Sequence, residues 1–252
     1  KNYKGELPLH QALALSRNTC TVRIAQQVGI ANVIQRAKAL GLEPHFPQEL
    51  SVSLGAVAVS PLNLTQAYAA FANKGIGVRP RIITSISDPQ GRVLYRQDVE
   101  QWQAVTPQNA YIMATLLKQV VNAGTGSRAR VQGFNIGGKT GTTNEEHDAW
   151  FVGFSPHLVT GVYVGYDQLQ SLGRLEQGGR TAAPIFRYYR VEVEDRYPAD
   201  DFAMPEGITM MDGLAFRSDM PIQGVSATAA TTEDDSVVDT SQGGEDLMRQ
   251  MF

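Results

Sequence analysis

Two apolar runs, residues 149–155 and 158–166, lie almost end to end and are separated only by Pro156 and His157. So short a connection allows an antiparallel hairpin but not a parallel pair, because parallel strands need a crossover of about a dozen residues or more. Neighbouring large apolar residues in the first run would point to both faces of a strand, which predicts a central hairpin covered on both sides. The runs therefore favour an antiparallel sheet over a doubly wound parallel one.

Helical patterns precede these strands. Residues 8–40 have helical periodicity, interrupted at the polar residues 16–19, SRNT. A hydroxyl residue followed by proline, at Ser60 and again at Thr106, combines an N-cap with a first-turn proline, so a helix is predicted to begin at each. Another helix is predicted over about 181–196. Helices followed by neighbouring strands indicate an α/β (α+β) fold, an antiparallel sheet flanked by helices.

Charge is uneven along the 252 residues. Residues 1–203 carry 20 Lys and Arg against 16 Asp and Glu, whereas residues 204–252 carry 2 against 9. Periodicity fades from Met204 onward, and residues 226–246 are rich in small and acidic residues. The sequence therefore predicts a folded part over 1–203 and an acidic, disordered tail over 204–252. Because neither part has a run of Lys and Arg, a nucleic-acid surface is not expected.

Several residue types exclude other classes of site. The one cysteine, Cys20, is interpreted as a buried filler, and the four histidines lack metal-ligand spacing, so neither a metal nor another cofactor is predicted. No apolar run approaches the roughly 18 residues of a membrane span. The chain opens on Lys1 rather than Met, which is interpreted as a fragment whose targeting signals, if any, lay upstream.

Residues 133–144, GFNIGGKTGTTN, match two unrelated site patterns. The first eight fit G-x-x-x-x-G-K-[ST], the phosphate-binding loop, which requires a hydrophobic strand before it and a helix after Lys139. The preceding SRARVQ is too polar for a buried strand, and the following GTTN is rich in poor helix formers. The phosphate-loop interpretation is therefore disfavoured.

The alternative is an extended segment, residues 136–142, beside the 149–155 strand. Its glycines would leave the strand bare, so that a substrate backbone could pair with it as an added strand. Lys139 would point its ammonium into the cleft, and Thr140 and Thr142 would offer hydroxyls on one face. This predicts a cleft for a peptide.

Residues 138–144, GKTGTTN, followed by 148–153, DAWFVG, resemble the C-terminal part of class A penicillin-binding proteins, whose motifs include S-x-x-K, S-D-N and K-T-G. Further stretches similar to the 1A kind are 12–18, 124–126, 164–167, 171–173 and 178–185. The resemblance covers about residues 1–210. It implies that 1–203 is the C-terminal portion of a β-lactamase/transpeptidase-like domain, N-terminally truncated, of a D,D-transpeptidase that crosslinks peptidoglycan by acyl transfer.

The resemblance implies a role for two residues of the polar turn. Ser16 and Asn18 correspond to the S-x-N motif, in which Ser16 would relay a proton towards the leaving amine and Asn18 would bind the substrate's acyl-amide carbonyl. Arg17 stands where S-D-N has Asp, at a place where the family varies. An alternative for Asn18 is a structural role as the cap of the helix that starts near Thr19.

The resemblance also implies that the K-T-G strand binds substrate through residues 140–143. Lys139 would supply charge to the cleft and, with Thr140 and Thr142, would hold the terminal carboxylate of a stem peptide or a penicillin. The N–H of Thr142 would be one oxyanion donor, and Gly141 and Thr143 complete the segment. The alternative for Lys139 is an ordinary exposed lysine.

The nucleophile of this family belongs to S-x-x-K, and no serine in the chain has a lysine three positions later. The serine is therefore expected upstream of Lys1, and the chain alone is expected to be inactive. The resemblance further implies a glycosyltransferase domain and a membrane anchor in the same protein, D-Ala-D-Ala stem peptides and β-lactams as partners, and a periplasmic location at the inner membrane.

Two other functions remain open from the sequence. One is a non-catalytic remnant that binds stem peptide or β-lactam, or serves as an interaction module. The other is a serine β-lactamase-like hydrolase, which shares the motif set. The strand over 158–166, the residues 178–185, GGRTAAPI, and the long tail favour the synthetic enzyme.

Overall fold

The computed structural model describes residues 5–220, with only the backbone of Asn144. Within that range the elements are α1 (Leu9–Ala14), α2 (Asn18–Val28), α3 (Ile30–Ala39), α4 (Pro61–Ala72), β1 (Ile76–Val78), β2 (Ser85–Ser87), β3 (Val93–Arg96), β4 (Gln101–Gln103), α5 (Pro107–Ala123), β5 (Gly137–Thr142), β6 (Asp148–Phe154), β7 (Val159–Gly165), α6 (Ala182–Val193), β8 (Ile208–Met211) and β9 (Leu214–Arg217). Among the helices so described, none has both the length and the hydropathy of a membrane span.

The largest sheet contains β5, β6 and β7, all antiparallel, with β6 in the middle. Gly137 pairs with Phe154 at one end of β5, and Thr142 pairs with Ala149 at the other. The prediction of an antiparallel sheet with the K-T-G segment as a strand is confirmed. The phosphate-loop pattern is a chance match, because Lys139 lies inside a strand rather than at the start of a helix.

Helices cover both faces of this sheet. Phe151 and Phe154 lie three positions apart on β6 and therefore point to opposite faces. Phe151 packs on Phe186 of α6, with ring centroids 4.8 Å apart, whereas Phe154 packs with residues of α4 and α5. As predicted, β6 is buried, but β7 is only partly buried and Tyr163 on it is 41% exposed, because β7 forms the edge of the described sheet.

The two predicted caps begin α4 and α5. The side chain of Ser60 accepts a hydrogen bond from the N–H of Asn63 at 3.1 Å, and that of Thr106 accepts one from Asn109 at 3.3 Å. A proline follows each cap, where its missing N–H costs nothing. Once begun, α5 is held by an apolar stripe buried between the sheet and the C-terminal hairpin.

The C-terminal hairpin of β8 and β9 was not predicted. Its turn is Asp212-Gly213, both with positive φ (50° and 77°), which fits the two-residue hairpin connections that favour Asp-Gly. Ala215 on β9 is buried against Ile112 and Leu116 of α5. The hairpin thus depends on this turn and on a small contact with α5. Neither gives the sequence an alternating pattern of apolar residues from which strands could be predicted.

The hairpin changes the interpretation of the C-terminal part. It lies inside the segment 204–252 that the sequence predicted to be disordered from Met204 onward, so the fold continues past the expected boundary. Residues 221–252, which include most of the acidic stretch, lie outside the described residues, and their part of the prediction stays a prediction.

Candidate active site

The polar turn between α1 and α2 carries Ser16 in an unusual backbone conformation. Its φ is +51°, in the left-handed region that residues other than glycine rarely adopt. The N–H of Ser16 donates to the carbonyl of Leu13 at 3.0 Å, and that of Arg17 donates to Ala12 at 2.9 Å. These bonds hold the turn closed, and such strain at a solvent-facing serine is characteristic of functional sites.

Lys139 reaches this turn from β5. Its Nζ donates to the Oγ of Ser16 at 2.8 Å and to the carbonyl of Thr140 at 2.9 Å, with the Thr140 hydroxyl at 3.4 Å. The two motifs, 123 residues apart in sequence, are therefore in direct contact, at the place where the sequence predicts a peptide cleft. These contacts and the partial burial of the side chain argue against an ordinary exposed lysine. Burial also lowers the pKa of Lys139 from 10.5 to about 8.

This lowered pKa predicts a specific pH dependence of stability. Below about pH 8 Lys139 is charged in both the folded and the unfolded chain, whereas between about 8 and 10.5 the unfolded chain binds more protons. The free energy of unfolding therefore gains a contribution that rises over that window. We therefore compare the free energies of unfolding of wild type and Lys139→Met, both measured by urea titration. We expect the value for wild type minus that for the variant to rise by about 2–3 kcal/mol between pH 8 and 10.5. A pH-independent difference would contradict the burial of this charge.

The free edge of β5 faces the same cleft. The N–H of Thr143 donates to the carbonyl of Asp148 at 3.2 Å, so alternate residues of β5 pair with β6. The backbone groups of Thr140 and Thr142 therefore point away from β6, towards an edge that no other described strand covers. An exposed edge of this kind can pair with an extended peptide.

Two other predicted substrate-binding residues are engaged within the protein. The Thr143 hydroxyl accepts a hydrogen bond from the N–H of Asp148 at 2.8 Å and so closes the β5–β6 connection. A Cβ at Gly141 would lie 3.1 Å from that of Trp150, and one at Gly138 would lie 2.6 Å from the ring of Phe151. The bare glycines therefore serve internal packing, which corrects the expectation that they make room for a substrate.

Asn18 is the first residue of α2, two positions from Ser16, and its side chain is exposed. Within residues 5–220 that side chain makes no hydrogen bond, and the N-cap position belongs to Arg17. The structural alternative, in which Asn18 caps the helix, is therefore wrong.

Sequence reasoning missed Thr125. Its hydroxyl lies 2.8 Å from that of Thr140, and its N–H donates to the carbonyl of Ala14 at 3.0 Å, which ties β5 to the turn that carries Ser16. Gly124 makes this approach possible, since a Cβ there would lie 2.2 Å from the Ala14 oxygen. The only feature of the sequence that could have indicated Thr125 was the G-T-G stretch, and such a stretch is also typical of an ordinary helix end.

A glycine loop completes the site from the other side. The N–H of Gly178 donates to the Thr142 hydroxyl at 3.1 Å, and a Cβ at Gly179 would lie 2.6 Å from the carbonyl of Thr125. The hydroxyls of Thr140 and Thr142 are thus fixed by neighbouring segments before any ligand binds. Within residues 5–220 no group of three or more His, Cys, Asp or Glu side chains is placed to hold a metal ion.

Comparison with known proteins identifies the family of this arrangement. A family model described as the penicillin binding protein transpeptidase domain matches residues 1–189. Penicillin-binding protein 1A of Aquifex aeolicus (strain VF5) is 43% identical over 210 residues, which are 81% of this chain and 29% of that protein. The chain spans less than a third of the length of the curated relatives it matches.

Two solved structures share the fold. The crystal structure of penicillin-binding protein 1A from Haemophilus influenzae has a TM-score of 0.76 and 26% identity, over 82% of this chain and 37% of that one. Penicillin-binding protein A from M. tuberculosis, solved as an imipenem acyl-enzyme complex, has a TM-score of 0.60 and 26% identity, over 73% of this chain and 48% of that one. With a family model that covers three quarters of its length, the chain belongs to the penicillin-binding protein transpeptidase domain family.

Proposed function

We propose that this chain forms one wall of a D,D-transpeptidase site that crosslinks peptidoglycan stem peptides. The single observation that carries the proposal is the hydrogen bond between Lys139 Nζ and Ser16 Oγ beside the free edge of β5. A cation, a hydroxyl and an unpaired strand edge side by side can attract a peptide carboxylate, relay a proton and pair with a peptide backbone, which are parts of acyl transfer other than the nucleophile. The acyl-enzyme form of the mycobacterial relative supports the same chemistry.

In the proposed reaction a serine hydroxyl attacks the carbonyl between the two terminal D-Ala residues. The new ester bond forms, the C–N bond breaks, and the serine proton passes to the departing D-Ala amine with Ser16 as the relay. An amine of a second stem peptide then attacks the ester, which forms the crosslinking amide and returns a proton to the serine. With a β-lactam the same attack opens the ring, and no fragment departs.

Each residue of the cleft has a part in this reaction. Lys139 attracts the terminal carboxylate of the donor peptide and donates to Ser16, and the hydroxyls of Thr140 and Thr142 complete the carboxylate site. The Thr142 N–H, on the free edge, stabilises the oxyanion. The Asn18 amide binds the substrate's acyl-amide carbonyl. The peptide backbone extends along the edge of β5 as an added strand.

We propose further that the serine belongs to a Ser-x-x-Lys segment outside this chain, because the 252 residues contain no such pattern. In the same proposal the chain works within a longer periplasmic protein at the inner membrane that also carries a glycosyltransferase domain and a membrane anchor. The resemblance to the 1A kind supports this arrangement.

Intact-mass spectrometry after treatment with benzylpenicillin tests the proposal. We expect this chain alone to keep its mass. A protein in which the chain follows its Ser-x-x-Lys segment should gain the full mass of one benzylpenicillin, since ring opening releases no fragment. An adduct on the chain alone would contradict the external serine, and an unmodified longer protein would contradict the transpeptidase function.

Replacement of Thr125 tests whether this residue positions the site. In the longer protein, Thr125→Val should slow acylation about 5–10-fold, because the Thr140 hydroxyl loses a partner worth about 1–1.5 kcal/mol. Thr125→Ser keeps the hydroxyl and should retain at least about half of the wild-type rate. Stopped-flow acylation and melting temperature are measured for both variants. Equal rates for Val and Ser would limit Thr125 to a structural role.

A further inference from the structure

A second polar feature lies outside the cleft, between the turn that follows α5 and the first residues of α6. It is an open groove of about 770 Å³ whose lining includes Arg128, Arg130 and Arg187 together with Gln132 and Asn135. None of the residues that line it is an Asp or a Glu. The groove therefore concentrates three positive charges, in a chain whose formal net charge is −3.

The groove arginines are held in place by backbone oxygens rather than by carboxylates. Arg130 donates to the carbonyl of Asn122 at the end of α5, and Arg187 donates to the carbonyl of Arg130 at 3.2 Å. Arg128 makes no hydrogen bond or ion pair with any residue of the described range. Since guanidinium groups form their strongest contacts with carboxylates and phosphates, the three remain available for an anionic ligand.

The same chain contains a segment of matching charge. Residues 221–252 carry six acidic residues and one arginine. The acidic residues fall within a stretch of fourteen positions: Glu233, Asp234, Asp235, Asp239, Glu245 and Asp246. The first three are consecutive, so they bring three carboxylates to a groove that offers three guanidiniums.

The chain beyond Met220 is long enough to bring the acidic stretch to the groove. The hairpin of β8 and β9 packs on Leu116 of α5, and Asn122, which lines the groove, lies six residues further along that helix, about 9 Å away. From Met220, where the described chain ends, thirteen residues lead to Glu233 and can span about 40 Å when extended. Because the segment is tethered, its effective concentration at the groove is on the order of millimolar.

We propose that the arginine groove is the intramolecular docking site of residues 233–246 of this same chain. The carboxylates of the acidic stretch pair with Arg128, Arg130 and Arg187, and the amides of Gln132 and Asn135 offer further hydrogen bonds. The docked segment covers the turn that begins two residues after Thr125. The interaction is electrostatic and largely exposed, so it weakens as ionic strength rises.

Competition with a free peptide tests this proposal on the full chain. A fluorescent synthetic peptide with the sequence of residues 231–248 is titrated into wild type and into a variant whose six acidic residues are changed to the corresponding amides. At about 20 mM salt we expect the peptide to bind the amide variant at least about 10-fold more tightly, because the chain's own segment no longer competes. At about 0.5 M salt binding should disappear.

Variants of the groove locate the binding. In the amide background, Arg128→Gln, Arg130→Gln and Arg187→Gln together should reduce peptide affinity at least about 10-fold. A matched control replaces three exposed arginines elsewhere, Arg23, Arg96 and Arg174, by Gln and should change affinity less than about 3-fold.

Arg128→Gln alone is the variant with the least risk to the fold, since Arg128 supports no backbone contact. It should weaken peptide binding at least about 3-fold without change of melting temperature. Three results would overturn the proposal: equal peptide affinity for wild type and the amide variant, no binding to either, or binding that survives loss of the groove arginines.

Discussion

Replacing Lys139 by alanine in the longer protein should lower the second-order rate of benzylpenicillin acylation by about 10²–10⁴-fold, the range in which one proton-transfer group contributes. In the proposed reaction Lys139 serves two parts at once. It donates to Ser16, the proposed proton relay, at 2.8 Å, and it supplies the charge that attracts the substrate carboxylate. Its partial burial strengthens the attraction between the charged ammonium and a carboxylate, because water screens the pair less than at an exposed lysine.

The same substitution should leave the fold intact. Alanine removes a group whose burial disfavours its charged form, so the melting temperature should stay within about 2 °C of wild type or rise. Lys38→Ala, at an exposed lysine on α3, is the matched control and should acylate at the wild-type rate. An acylation rate within about 3-fold of wild type for Lys139→Ala would remove this residue from the mechanism. If Lys139→Ala failed to fold, the claim that the buried ammonium does not stabilise the protein would be wrong.

The parts of the fold that follow from local chemistry could be predicted. The short joint around Pro156-His157 permits only an antiparallel hairpin, and Ser60 and Thr106 begin helices because each hydroxyl caps a helix whose first turn the following proline favours. The K-T-G segment is extended, as expected for residues that are poor helix formers and lie beside the 149–155 strand. In each case the decisive residues lie within a few positions of one another.

The parts that depend on distant residues could not be predicted. Thr125 matters because its hydroxyl meets Thr140 and its N–H meets Ala14, contacts that only the tertiary fold creates. The glycines of β5 suggested room for a substrate, but Phe151 and Trp150 fill that space from the neighbouring strand. The absence of side chains on one strand therefore does not show that the space beside it is empty.

Arg190 is the clearest case of a residue whose importance lies in its surroundings, and it gives the largest expected effect on stability. It forms an ion pair with Glu194 one turn along, with side chains 0% and 1% exposed. Its other nitrogens donate to Ser155 at 2.7 Å and to the carbonyl of Leu158 at 3.1 Å, which ties α6 to the turn between β6 and β7. The sequence shows only a spacing of four, which on most helices marks an exposed pair.

We expect Arg190→Met to lower the free energy of unfolding by about 3–5 kcal/mol, measured by urea titration, because the Glu194 carboxylate is left buried without its partner. Arg92→Met removes a pair of the same spacing whose arginine is 79% exposed, and should cost no more than about 1 kcal/mol.

The double variant Arg190→Met with Glu194→Leu separates two contributions to the loss of stability. One is the loss of the contacts of Arg190, and the other is the cost of burying the Glu194 carboxylate without a partner. The double variant removes both charges, and the Leu158 carbonyl keeps its bond from the N–H of Ser155, so the hydroxyls of Ser155 and Thr160 are the groups that lose a hydrogen bond from Arg190. We therefore expect it to recover at least half of the stability lost in Arg190→Met. A double variant as unstable as Arg190→Met would instead mean that the tie to Ser155 and Leu158, rather than neutralisation of Glu194, is what holds α6 against the sheet.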